Sequence, residues 1–117
     1  MLIETIPPTR WRDFLDSFNR VHRGWLITVD SPTGVGLLMR DVPLASILFE
    51  DEDIVIEAAM DRQHVDHVVK GPVALRLERT ADGADRQLEI VGNEGNVVRV
   101  RFRSAIRPEL VDGIVNL

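Results

Sequence analysis

In the stretch Trp11-Arg12-Asp13-Phe14-Leu15-Asp16-Ser17-Phe18-Asn19-Arg20-Val21-His22-Arg23-Gly24-Trp25 the hydrophobic period changes. Up to Gly24 the apolar residues Trp11, Phe14, Leu15, Phe18 and Val21 recur at helical spacing. From Trp25 onward apolar residues alternate or run in short blocks bounded by turn residues, the pattern of strands. Pro7 and Pro8 fix the entry to the helix, where a missing N–H costs nothing, and Thr9 is an alternative cap. Arg12, Asp13, Asp16, Asn19 and Arg20 form the opposite face, with Asp16 and Arg20 at the favourable i,i+4 spacing. Gly24 suits a left-handed C-terminal cap. Burying each ring of the stripe contributes roughly 2–3 kcal/mol, so the stripe is expected to pack on a sheet.

Strands are expected at 25–30, 35–40, 44–50, 54–59, 73–80, 87–91 and 97–103. Ser31-Pro32-Thr33-Gly34 ends the first, and Pro43 separates the second from the third. The stretch through His64 and His67 is less regular, although Val65, His67 and Val69 alternate. Pro108 opens a single helical turn that Gly113 closes. The architecture expected is one α+β domain spanning 1–117. An N-terminal amphipathic helix packs on a bent antiparallel sheet, or half-open small barrel, of six to seven strands.

Two turns fix a register. Asn93-Glu94-Gly95 is a three-residue loop with glycine where positive φ is needed. It pairs Ile90 with Val98, Leu88 with Val100 and Glu89 with Arg99. The loop Ala81-Asp82-Gly83-Ala84 pairs Leu77 with Leu88, Leu75 with Ile90 and Arg76 with Glu89. One face is then apolar and the other is a charge ladder, Arg76–Glu89–Arg99. Leu37 with Leu38, and Leu48 with Phe49, place apolar side chains on both faces of their strands. Such strands need covering by the helix, by the tail (Ile106, Leu110, Val111, Ile114, Val115) or by a second subunit.

Composition narrows the function classes. The 117 residues are 44% hydrophobic and 28% charged, a globular balance. No cysteine is present, which excludes disulfides, thiolate metal sites and thiol catalysis. A net charge of −5 opposes generic binding to nucleic acid or anionic membranes. No run reaches membrane-spanning length and the start carries no basic leader, so a cytoplasmic location is expected.

Three groups of residues carry candidate chemistry. His64-Val65-Asp66-His67 holds metal-ligand residue types. On a helix His64 and His67 would share a face; on a strand His64 and Asp66 would point one way and His67 the other. The segment offers two histidines and loose carboxylates where a structural site wants four well-spaced ligands. A metal site is therefore not expected, and neither is a cofactor. Arg99, Arg101 and Arg103 share one strand face and Arg107 follows, a weak interaction face. It lacks the interleaved exposed aromatics of nucleic-acid platforms. The acidic segment from Asp41 to Asp66, with Glu50-Asp51-Glu52-Asp53, carries the opposite charge and could attract that face within or between subunits. No nucleophile–base pair, nucleophile elbow or phosphate loop is legible.

The segments 11–25, Ala81–Asp85, Leu88-Glu89-Ile90, Arg101-Phe102-Arg103-Ser104 and Pro108-Glu109 with Val111-Asp112-Gly113 resemble a family of small uncharacterised bacterial proteins. That family is a domain-of-unknown-function group. The resemblance spans nearly the whole chain and implies a stand-alone cytoplasmic bacterial protein, with no catalytic residue to carry over. Its motif positions include His22, Trp25, Arg103, Ser104, Glu109 and Asp112. The aromatic ones read as core, and Arg103 with Glu109 or Asp112 as a tie between the last strand and the tail. The function expected is a non-catalytic, self-associating binding or interaction module with a protein partner. The alternative is a small-ligand-binding barrel or minor enzyme that uses the His64–His67 region.

Overall fold

The computed structural model describes residues 2–103. The expectations for Arg107, for the Pro108–Gly113 turn and for the tail's apolar and acidic residues lie outside the described residues. The elements are β1 (Leu2–Thr5), a 3-10 turn (Pro8–Arg10), α1 (Trp11–His22), β2 (Leu26–Ser31), β3 (Gly36–Glu50), β4 (Asp53–Met60), β5 (Gln63–Val69), β6 (Ala74–Arg79), β7 (Asp85–Val91) and β8 (Val97–Phe102). Eight strands form one antiparallel sheet in the order β1-β6-β7-β8-β2-β3-β4-β5.

The order itself shows that the sheet curls. β5 is one edge and β6 stands next to the other edge, yet the chain passes from Val69 to Ala74 directly. Five residues reach at most about 18 Å, whereas six strand spacings in a flat sheet cover roughly 29 Å. The sheet therefore wraps around its own apolar face without closing, leaving β1 and β5 as edges. Asn93 N–H donates to Lys70 O at 3.2 Å, tying the β5–β6 link to the β7–β8 turn.

The strand count exceeds the six to seven expected. β1 was not foreseen: it pairs Leu2 with Arg79 and Thr5 with Arg76, contacts more than 70 residues away along the chain. The segments 35–40 and 44–50 are one continuous strand, because Pro43 ends the β2 ladder and the β4 ladder starts at Leu44. Proline falls where the strand changes partner, the position that least needs its missing N–H. The stretch around His64 and His67 is the edge strand β5.

The expected register holds in both hairpins. Ile90 opposes Val98, Leu88 opposes Val100, Glu89 opposes Arg99, and Leu75, Arg76 and Leu77 oppose Ile90, Glu89 and Leu88. Gly95 has φ of 81°. The apolar face of these strands is buried throughout.

Helix α1 lies on β3 and buries Trp11, Leu15 and Phe18. Trp11 Nε1 donates to Ile6 O at 2.8 Å, and its ring meets Phe49 edge-on. Three expectations for the helix are corrected. Val21 is exposed, and the last turn buries Asn19 and His22 instead. Arg20 donates to Ser17 Oγ at 3.1 Å rather than pairing with Asp16. Thr9 makes no cap; Pro7 precedes the 3-10 turn with Pro8 inside it. Gly24 has φ of 88° and its N–H donates to Leu44 O, so the helix end also anchors β3.

Candidate functional site

Strand alternation splits the His64–His67 cluster. His64 and Asp66 are exposed, while His67 points to the other side and is half-buried. Among the described residues no group of three or more His, Asp or Glu side chains is placed to hold a metal ion.

His67 lines an open cleft of about 600 Å³. Three parts of the chain build it: the β2–β3 turn with Ser31, Gly34 and Val35; the end of β5 with His67, Val68 and Lys70; and the β7–β8 turn with Asn93, Glu94 and Asn96. Leu38 is also in its lining. The turns are fixed by hydrogen bonds. Ser31 Oγ donates to Val97 O, and Val97 N–H donates to Thr33 Oγ1, each at 2.8 Å. Asp53 Oδ1 accepts from Gly71 N–H at 3.0 Å, and that bond, with Lys70 beside it, holds the Asp53 carboxyl below its ordinary range. Burial lowers the pKa of His67 from its ordinary 6.5, which favours the neutral ring. Val35 is 80% exposed and Val68 41% exposed, so apolar side chains stand free among the polar groups of the cleft.

The charge ladder and the arginine face beside it are partly compensated. Arg76 Nη1 lies 2.9 Å from Glu89 Oε1, and Arg101 Nη2 lies 3.4 Å from Asp30 Oδ2. Arg99 sits between Glu89 and Asp30 in the register, its Nε buried and without a hydrogen-bond partner. The ladder seen in the sequence thus continues onto β2 through Asp30. Arg101 and Arg103 also line a separate pocket of about 350 Å³ with Thr28, Asp41, Arg86 and Phe102.

A buried polar group that the sequence did not reveal lies at the end of α1. His22 is 2% exposed and stacked between Phe18 and Phe102, with Trp25 against it edge-on. Its Nδ1 donates to Phe18 O at 2.8 Å. Its Nε2 lies 2.9 Å from Asp85 Oδ2, at ion-pair distance but out of line for a hydrogen bond. Both nitrogens face acceptor oxygens. Asp85 also takes Arg79 Nε at 3.1 Å, and Arg79 Nη1 reaches Glu4 Oε1 at 3.0 Å. Burial would raise the Asp85 pKa, but His22 and Arg79 outweigh it and hold the carboxyl below its ordinary value. The network ties α1, β7, β6 and β1 together and runs from the buried His22 out to the exposed Glu4, the mark of a structural element. Only the motif positions His22 and Trp25 hinted at it.

The family model for DUF5335, a family of unknown function, matches residues 2–109. The chain belongs to this family. No curated protein and no solved structure matches it. The DUF5335 match takes in every described element, from β1 through β8. No helix among the described residues is long and apolar enough to cross a membrane.

Proposed function

We propose that this DUF5335 member is a non-catalytic binding module that self-associates through the end of the sheet bearing the 600 Å³ cleft. One observation carries the reading. Val35 and Val68 stand exposed on the cleft, and the part-buried Leu38 also lines it. Exposed apolar side chains beside polar groups are a feature of interaction sites. The turns that build the cleft are held by hydrogen bonds donated by Ser31 and Asn93 and accepted by Thr33, so the surface is formed before a partner arrives.

The test is light scattering coupled to size-exclusion chromatography over a range of concentrations. Wild type should move from monomer to dimer, and Val35→Asp with Val68→Asp should remain monomeric while melting normally. A wild type that stays monomeric at every concentration contradicts the reading.

A second reading is a small-ligand site in the same cleft, favoured by the neutral His67 ring and the Asn93 and Asn96 amides. A ligand bound there should perturb the His67 ring resonances in a saturable way, without any change in oligomeric state.

A further inference from the structure

The second pocket lies toward the opposite end of β2 and β8 from the cleft, and its charge is one-sided. Arg86, Arg101 and Arg103 line it together with Thr28 and a single carboxylate, Asp41. Two β-bulges bring these residues together. Glu78 pairs with Gln87 and Arg79 with Asp85, which leaves Arg86 as the extra residue of β7. Ile27 pairs with Val42 and Val29 with Met39, so Arg40 and Asp41 both stand opposite Thr28, and Asp41 has φ of 49°. Bulges re-aim side chains that a regular ladder would point elsewhere. Between them, Thr28 pairs with Arg101, and Arg101 with Gln87. One cross-strand row therefore runs from Asp41 through Thr28 and Arg101 to the β7 bulge, with Arg103 just past the end of β8, two residues on from Arg101.

The guanidinium groups are lightly used. Arg101 meets Asp30 at 3.4 Å and Arg86 meets Glu78 at 3.6 Å, each through one nitrogen. Among the described residues no ion pair engages Arg103, whose N–H is fixed to Leu26 O at 3.2 Å. A guanidinium offers five donors, so most of three forks remain available. The Thr28 hydroxyl accepts from Asp41 N–H at 3.4 Å and keeps its own proton to donate.

We propose that this pocket binds a small phosphomonoester that also carries a hydroxyl group. Three arginines lining one pocket suit a dianion with three acceptor oxygens better than a monocarboxylate with two. Asp41 can only accept, so beside the phosphate it selects a ligand hydroxyl. The volume of about 350 Å³ leaves room for more than the bare anion. This site is separate from the cleft, and its occupancy does not depend on self-association.

The test is a titration of the full-length protein followed by amide resonances, with glycerol 3-phosphate, inorganic phosphate, glycerol and acetate as probes. Glycerol 3-phosphate should shift the amides of Arg101, Phe102 and Arg103 saturably and bind at least about tenfold more tightly than glycerol or acetate. Arg103→Gln and Arg86→Gln should each weaken it about tenfold without changing the melting temperature, since both side chains are exposed. Asp41→Gly relieves the positive φ and removes the carboxylate. It should strengthen inorganic phosphate and abolish the preference for glycerol 3-phosphate over it. Absence of a saturable shift, equal affinity for acetate, or unchanged affinity in both arginine variants would overturn the proposal. So would binding that appears only after Glu109→Gln with Asp112→Asn, because the arginines would then serve the chain's own carboxylates.

Discussion

The Asn19 side chain pairs with the backbone of Ile47 as a neighbouring strand would: Nδ2 donates to Ile47 O at 2.9 Å and Oδ1 accepts from Ile47 N–H at 2.8 Å. The β2 ladder along β3 ends at Pro43, so Ile47 has no strand on that side. A helix side chain satisfies both of its groups and fixes α1 on the sheet. Asn19→Leu would leave a buried donor and a buried acceptor unpaired, and should cost about 1–3 kcal/mol. Asn19→Asp keeps the acceptor but sets a carboxylate against the carbonyl, and should cost at least as much. Urea unfolding midpoints measure both; values within error of wild type would show that the contact contributes nothing.

The two helix phenylalanines separate in their cost of truncation. Phe18 is buried and packs on Phe102 and His22, whereas Phe14 is part-exposed. Phe18→Ala should cost about 3–5 kcal/mol, and Phe14→Ala clearly less. Equal losses in denaturant melts would contradict the packing.

Asp85 makes stability acid-sensitive. Its folded carboxyl titrates below the unfolded value of 3.8, because His22 and Arg79 outweigh burial. The stabilisation it brings is therefore complete above pH 3.8 and fades as pH falls through the lower, folded pKa. Asp85→Asn should cost about 1–3 kcal/mol at neutral pH and remove this part of the acid dependence. An unchanged stability–pH curve would contradict the role given to the pair.

His67 acts in a higher window. Its folded pKa lies below the unfolded 6.5, so the unfolded chain binds the proton more readily. Stability is full above pH 6.5 and falls as pH drops toward the folded pKa. His67→Gln should flatten that slope, and the ring resonances should titrate below pH 6.5. Titration at or above that value would contradict burial in the cleft.

The sequence was most legible where a glycine fixed the geometry. Gly95 pinned the β7–β8 register, and with it the five buried positions Leu88, Ile90, Val98, Val100 and Phe102. Pro43 misled because proline ordinarily stops a strand, whereas here it falls between two ladders. β1 is four residues long, and its pairing with β6 is a contact that no local pattern can encode. Asn19 is a polar residue type that reads as surface until Ile47 is found facing it, and the partner of His22, Asp85, is not legible from its position in the chain. Of the candidate sites, the arginine face was visible from alternation at 99, 101 and 103. The pocket beside it was not, because Arg86 and Asp41 reach it through bulges that leave no mark on hydrophobic period.

Amide chemical shifts recorded on dilution of the uniformly labelled protein test the proposed interface most directly. The account predicts concentration-dependent shifts at Val35, Leu38, Val68, Glu94 and Asn96, around the cleft, with the β1 edge at Leu2–Thr5 unaffected. Shifts confined to that edge, or no dependence on concentration anywhere, would contradict it.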